Sequence, residues 1–539
     1  MRLPLSLLDP RAGILCALFF AGCTTDAYER QADRAVDEIL REGTNRTLGG
    51  RRDSVVQPRR KPVESTPQPN VLEPLPGSEP GQPAQTAPPA AAVQVLSLAD
   101  ALDIAIRTNR DYISHKEDLY LTALSLTGTR HTYSSIVSAA LSYLFAGSNT
   151  GPESHTSGLE MSVSKILPSG GNLSLTGATG FSTSGGNAFS SSASIRLTQP
   201  LLRGAGREVA YEGLTQAERG LIYSIRDFEL FREGFSIDVA SRFYNLVQQK
   251  QAALNQRRNL EGFVFGRKQA EALFSVGRTS ELEVLRARRS ELTSQNSLIE
   301  AEESYRLALD QFRIFLGQPG TSRIEVAAEE PTFVPVNWDI GSAIEVAKKN
   351  RLDFLNREEQ LQDAQRGVRI ARNGLLPDLS LSLGYSQSGP GDASFAHQSL
   401  NDASYSAALT LGLPIDRLPE RNAYRSSQVA LARALRSFSE FQDNLEVSVQ
   451  STFRELVRRK ESLDIQTQLI SDQVRNVKIA QLRFEQGNFS NRDVVEAQQA
   501  LLDASNSLIR EKVDYEIARL GLLKDLGILF IDEKGMWKE

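Results

Sequence analysis

The feature that most limits this chain is that part of it is written twice. Phe274, Gly277, Ser280, Val284, Ala287, Leu292, Asn296, Ser297, Leu298, Ile299, Tyr305, Ala308, Leu316 and Gly317 recur at Phe484, Gly487, Ser490, Val494, Ala497, Leu502, Asn506, Ser507, Leu508, Ile509, Tyr515, Ala518, Leu526 and Gly527. The spacing is constant and ungapped, 487 − 277 = 210 residues. A register held over such a span marks two structural repeats. The repeat starts match too. Ser97, Ala101, Ala105, Asp111 and Tyr112 correspond to Asp339, Ala343, Ala347, Asp353 and Phe354, at 353 − 111 = 242. Ser97 and Asp339 fit helix N-caps, and Ser342 with Glu345 has capping-box spacing. The offset falls from 242 to 210, so the first repeat carries about 32 extra residues. Pro200 pairs with Pro414 at an offset of 214, which puts most of that excess before Pro200.

Inside each repeat the apolar period switches. In the second, Leu379, Leu381, Leu383 and Tyr385 alternate with Ser380, Ser382, Gly384 and Ser386. Tyr405, Ala407, Leu409, Leu411 and Leu413 alternate with Ser406, Ala408, Thr410 and Gly412. Both runs approach the ~9–11 residues that carry a tilted strand across a bilayer. In the first repeat Leu159, Met161 and Val163 alternate with Glu160, Ser162 and Ser164, and Ala193, Ile195 and Leu197 with Ser194, Arg196 and Thr198. Segments 139–146 and 173–181 also read as extended. The Gly- and Ser-rich residues 150–187 form either an added hairpin or a long external loop. Small polar partners suit a wet lumen opposite a lipid face; a soluble sandwich is the alternative.

The remainder reads as coiled coil. Leu463, Ile470, Val477 and Phe484 are spaced by seven, as are Val494, Leu501, Leu508, Tyr515 and Leu522. A sustained heptad gives left-handed supercoiling and a seam that needs partner helices. Each repeat is therefore a helical limb, a small β-element and two more limbs joined at Gly277 or Gly487. Four to six membrane-length strands are too few to close a barrel, because bacterial barrels start at about eight. Open edges are not tolerated in lipid, so several copies must close one wall around an axis. Three copies with four strands each would give twelve.

At the N-terminus Arg2 and Arg11 precede the apolar run from Gly13 to Phe20, then Ala21, Gly22 and Cys23. This pattern reads as a secretory signal peptide. Prolines crowd the segment before Ala92, and basic residues such as Arg51, Arg52, Arg59, Arg60 and Lys61 precede them. Such composition reads as an extended spacer rather than a packed unit. The divisions expected are a signal peptide (1–22), a lipidated N-terminus and Pro-rich disordered linker (23–92), repeat 1 (93–320, strands about 138–199), an inter-repeat segment (321–341), repeat 2 (342–530, strands about 377–413) and a tail (531–539).

Composition removes other classes. A net charge of −5, from 61 basic and 66 acidic residues, advertises no nucleic-acid partner. Two Cys and four scattered His (His115, His131, His155, His397) offer no metal-ligand spacing. Gly204 and Gly206 lack the third glycine of a dinucleotide fingerprint, and no phosphate-binding loop motif is present. The expectation is no enzyme, no cofactor and no metal. No stretch of 18 apolar residues exists, so no helix is expected to span a membrane.

At this point the chain resembles the TolC-like outer-membrane efflux family. The carriers are Phe274-Ser275-Val276-Gly277 with Leu316-Gly317, Phe484-Glu485-Gln486-Gly487 with Leu526-Gly527, Leu375-Leu376-Pro377-Asp378-Leu379, and Leu197-Thr198-Gln199-Pro200-Leu201. Asn109-Arg110 stands where the family often has Asn-Pro, and the linker is unusually long. The Phe-Ala-Gly-Cys ending at Cys23 resembles a bacterial lipobox, which implies cleavage before Cys23 and acylation of its thiol; Thr24 after it favours the outer membrane. The resemblance implies an α+β membrane protein whose two tandem repeats build a trimeric 12-stranded outer-membrane β-barrel, continued by a periplasmic α-helical coiled-coil barrel. It further implies a homotrimer, a periplasmic adaptor (membrane fusion protein), an inner-membrane pump or ABC transporter, and contact with outer-membrane lipid. By the same resemblance the adaptor meets the turns at Val276, Gly277, Arg278 and Thr279 and at Gln486, Gly487, Asn488 and Phe489. Acidic rings at the tunnel end map onto Asp493 and Glu496, whose spacing of three puts them on one helix face. Such a ring would repel anions and oppose tight closure; the plain alternative is a pair of solvated carboxylates. The competing function is a lipid-anchored coiled-coil envelope scaffold that conducts nothing.

Overall fold

The computed structural model describes residues 25–48, 94–148, 151–183, 188–320, 322–331, 333–336, 339–390, 402–486 and 490–538. The signal segment 1–22, Cys23, the linker residues 49–92, His397 and the turn residues Gly487, Asn488 and Phe489 lie outside them. In chain order the elements are α1 (Thr25–Leu48), β1 (Gln94–Leu96), α2 (Leu98–Thr108), α3 (Arg110–Thr132), β2 (Ile136–Ser148), β3 (Gly151–Ile166), β4 (Asn172–Ser182), β5 (Ala188–Pro200) and the single turn α4 (Arg207–Ala210). Then follow α5 (Glu212–Ser275), α6 (Glu281–Phe315), β6 (Ile324–Val326), α7 (Ile340–Asn350), α8 (Leu352–Asn373), β7 (Asp378–Pro390), β8 (Asp402–Gly412), α9 (Leu418–Glu485), α10 (Asn491–Asp525), β9 (Phe530–Ile531) and β10 (Trp537–Lys538). Two compact units result.

The first unit holds the N-terminal helix, Leu119–Ile225 and Asn356–Glu440. Its centre is one antiparallel sheet of six strands in the order β2-β3-β4-β5-β7-β8. The alternation read from sequence sets the register: Leu197 faces Leu383, Leu379 faces Leu411 and Leu381 faces Leu409. The extra residues of repeat 1 are strands β3 and β4. Six strands is the upper end of the four to six expected per copy, and of the two alternatives for residues 150–187 the added hairpin is the one that forms. The physical reason is a turn signal, Pro168-Ser169-Gly170-Gly171, in which Gly170 takes the left-handed conformation (φ 92°) that reverses the chain between two alternating runs.

A correction concerns the spacer. Residues 25–48 are a helix. They contain no proline, and Val36, Ile39, Leu40, Thr44 and Leu48 repeat at helical spacing and are buried. Tyr120 donates to Asp33 at 2.6 Å, and Arg130 pairs with Glu42 at 3.6 Å and Glu218 at 3.3 Å. Burial, with the Asp33 hydrogen bond adding, pushes the Tyr120 hydroxyl up to about 12, so it keeps the proton it donates. Further along, Asp363 accepts from both Arg219 and Tyr223 at 2.6 Å, and Arg366 bridges Glu212 (2.7 Å) and Asp363 (2.9 Å). This network joins α5 of the first repeat to α8 of the second.

The second unit is helical. Tyr112, Phe228, Phe231 and Phe235 pack ring on ring, with Phe315 beyond. Ser97 and Asp339 both cap helices. The Ser97 hydroxyl accepts from Asp100 N at 3.2 Å while Asp100 accepts from Ser97 N at 3.1 Å; Asp339 accepts from Gly341 N at 3.1 Å. Because Asp339 takes the cap, Ser342 sits inside the helix and donates back to Asp339 O at 2.8 Å, so the expected Ser342–Glu345 box does not form. Three-residue strands β1 and β6 pair in parallel and tie the start of repeat 1 to the inter-repeat segment. They are too short for periodicity to reveal. The tail folds back as the β9–β10 hairpin, burying Ile531 and Trp537, and Asp532 O accepts from the buried Arg232 at 2.8 Å.

Candidate functional site

Two places carry the functional argument. The first is the sheet. On one face stand Val137, Leu141 and Tyr143 of β2, Met161 and Val163 of β3, Leu173 and Leu175 of β4, Ile195 and Leu197 of β5, Leu383 and Tyr385 of β7, and Leu409 and Leu411 of β8. The pairings hold them in phase across all six strands. Tyr143, Leu141, Leu409 and Leu411 lie more than half exposed. An apolar face of this breadth is not left to water; it belongs against lipid or protein. The opposite face is Ser138, Ser162, Ser174, Thr176, Ser194, Ser382 and Thr410, with Glu160, Arg196, Asp378 and Asp402 among its charged members. Aromatic residues Tyr143, Phe145, Phe181 and Phe189 gather toward the strand ends away from the helices, where an interfacial belt would sit. One face is apolar and one polar, yet among the described residues β2 and β8 keep an outer edge without a strand neighbour.

The second place is the pair of helix turns. Gly277 ends α5 with φ 72°; its N–H donates to Phe274 O at 2.9 Å and Arg278 N to Leu273 O at 2.9 Å, a Schellman cap. Val276, Gly277 and Arg278 are exposed and Thr279 is half-buried. In the second repeat Gln486 is exposed, and Ser490 begins α10. Leu273 packs against a cluster of Ala480, Phe484, Val494 and Ala497, so the residues flanking both turns meet at one end. Sequence reasoning placed the turns but not this contact; the shared Phe and Val of the two repeats were its only signal.

Asp493 is the third residue of α10, and its Oδ2 accepts from the Ser490 N–H and hydroxyl, both at 2.8 Å. Those bonds hold its carboxyl below the usual 3.8, so it stays anionic at every physiological pH. Glu496 follows one turn on and is exposed. The repeat-equivalent positions differ. Subtracting 210 from each gives Glu283 and Arg286, which pair with each other at 2.5 Å. The second repeat thus presents two negative charges where the first presents a neutral pair. Among the described residues no cluster of His, Cys, Asp and Glu could hold a metal, and no helix is long and apolar enough to cross a membrane.

Comparison with known proteins fits this geometry. Residues 343–527 match the family model described as outer membrane efflux protein. The chain is 24% identical over 341 residues to the pyoverdine export outer membrane protein OpmQ of Pseudomonas aeruginosa, covering 60% of this chain and 69% of that one. It is 26% identical over 313 residues to the solvent efflux pump outer membrane protein SrpC of Pseudomonas putida, covering 54% of this chain and 61% of that one. Its fold resembles the crystal structure of the transmembrane channel CusC, with a TM-score of 0.60 at 12% identity, over 82% of this chain and 95% of that one. Residues 343–527 thus match the outer membrane efflux protein family, and most of the chain shares its fold with outer-membrane channel structures such as CusC.

Proposed function

We propose that this chain is the outer-membrane channel component of a tripartite efflux or type I secretion system. It is a passive conduit, opened by a periplasmic adaptor and energised by an inner-membrane pump or ABC transporter. The observation that carries this reading is the sheet, which among the described residues has six strands, an apolar face, a polar face and two free edges: only identical copies closing around an axis satisfy both edges in lipid. Three copies form the assembly. Acylation of Cys23 adds a second attachment to the outer leaflet region, and the turns at Val276, Gly277, Arg278 and Thr279 and at Gln486, Gly487, Asn488 and Phe489 receive the adaptor. The acidic positions Asp493 and Glu496 form a cation-preferring constriction, because copies of each carboxylate face one another around the axis and repel anions.

The deciding experiment is purification from outer membranes, followed by heat-modifiable migration and planar-bilayer conductance. A heat-dissociable trimer that conducts is expected. A trimer that never conducts supports the envelope-scaffold reading instead. For the constriction, Asp493→Ala with Glu496→Ala should lower cation-over-anion selectivity; unchanged selectivity removes the gate. For the anchor, mass spectrometry of the mature N-terminus should show diacylglycerol on Cys23, and an unmodified thiol there removes it.

A further inference from the structure

Among the described residues, strands β3 and β4 have no counterpart in the second repeat, and their geometry is that of a wall rather than a surface flap. β4 pairs with β3 from Thr156↔Ser182 to Ile166↔Asn172 and with β5 from Asn172↔Thr198 to Ser182↔Ala188, as long a ladder as joins β7 to β8. The hairpin also reaches the full height of the sheet. Its turn lies at the end where the helices begin, because Ser169 O accepts from Gly206 N and from Gln199 Nε2, both at 3.0 Å, and the Ser169 hydroxyl donates to Gln199 at 2.6 Å. Gly170 sits so close to this connection that a Cβ on it would lie 2.3 Å from Gly204 O. An external loop would have its tip at the other end.

The faces agree as well. Met161 and Val163 of β3 and Leu173 and Leu175 of β4 continue the apolar stripe between Leu141 of β2 and Ile195 of β5, while Ser162, Ser174 and Thr176 continue the polar one. The charged residues on the apolar side, Glu153 and Lys165, stand near opposite ends of β3, and Lys165 is one level from the turn, where its stem can reach the interface. A loop outside the membrane has no reason to keep this phase. β2 runs away from the helical end and β8 returns to it, so β8 of one copy and β2 of the next are antiparallel neighbours of comparable length.

We propose that three copies close an eighteen-stranded barrel, six strands from each, with β8 of every copy paired to β2 of the next. The inference rests on the trimeric channel reading above and adds the number and identity of the wall strands. At about 4.8 Å between strands and about 40° of tilt, eighteen strands enclose a backbone circle about 36 Å across, against about 24 Å for twelve. The membrane mouth is then wide, and selection by size is left to the helical end.

Single cysteines introduced by Met161→Cys, Leu175→Cys, Ser162→Cys and Thr176→Cys in the full chain test the wall directly. With a charged, water-soluble maleimide on assembled trimers, positions 162 and 176 should label at least about tenfold faster than 161 and 175, and a membrane-soluble maleimide should reverse the order. Equal labelling of all four in an intact trimer overturns the inference and leaves the channel reading standing; loss of the trimer in the unmodified chain overturns both. A three-fold averaged electron-microscopy map of the unmodified chain should count eighteen strands, and twelve would overturn the proposal without any variant.

Discussion

The two repeats have been held alike in one half and allowed to diverge in the other. In the helical half, Gly317 and Gly527 adopt nearly the same left-handed conformation, φ 71° and 69°. Each seats on the end of the first helix of its own repeat: a Cβ would lie 2.1 Å from Thr108 O in one and 2.7 Å from the Asn350 carbonyl carbon in the other. Thr108 and Asn350 are themselves 242 positions apart, the offset of the repeat starts. In the sheet half, among the described residues, repeat 1 supplies four strands and repeat 2 supplies two. A joint between helices is fixed by backbone contact and cannot drift in one repeat alone. A sheet obeys looser rules, alternation of faces and an even strand count. A whole hairpin returns the chain to the end it left, whereas a single added strand would deliver α5 to the wrong side of the wall.

The sharpest way to break the equivalence is at the two glycines. Gly317→Val and Gly527→Val each add left-handed strain and a clash with backbone atoms that cannot swing aside, and each should cost on the order of 4 kcal/mol. Chemical denaturation of the purified chain should show equal losses; a loss confined to one repeat would mean that the joints are not the same device. Next come the strands. Leu175→Arg in the added hairpin and Leu409→Arg in the second repeat should each cost about 3 kcal/mol, while Thr176→Arg and Thr410→Arg on the polar face should assemble nearly normally. The yield of the proposed heat-modifiable trimer measures this. Tolerance of Leu175→Arg alone would separate the hairpin from the rest of the sheet.

Particular residues show why some of this was legible in the sequence and some was not. The repeated Leu-Gly pairs marked joints because only glycine fits a left-handed turn against another backbone. The period of two at Leu379, Leu381 and Leu383 marked strands because a sheet with two different solvents needs two different faces. Helix α1 was lost in averaging, since a Pro-rich segment follows it directly, although Val36, Ile39 and Leu40 carried the helical spacing. The turn at Pro168-Ser169-Gly170-Gly171 could have decided between hairpin and loop. The acidic pair was legible only as a pair. What would face it in the proposed assembly is not encoded locally in the sequence.

The smallest effects probe how far the likeness extends at the turns. Ser280 and Ser490 occupy matching positions and both precede 35-residue helices. Only Ser490 is engaged by the carboxylate three residues on; Glu283 turns instead to Arg286. Ser490→Ala should therefore cost about 1 kcal/mol and Ser280→Ala next to nothing. The two also differ in pH dependence. The Asp493 carboxyl sits below its ordinary 3.8 when folded, so its contribution is complete above that value and disappears as the pH falls through the lower, folded one. In thermal melts the gap between the unmodified chain and Ser490→Ala should stay constant from neutral pH down to about 5 and then close in more acidic buffer. The Ser280→Ala curve should follow the unmodified chain throughout. A gap at Ser490 that ignored acid would mean that the serine acts through its neighbours in the turn rather than through Asp493.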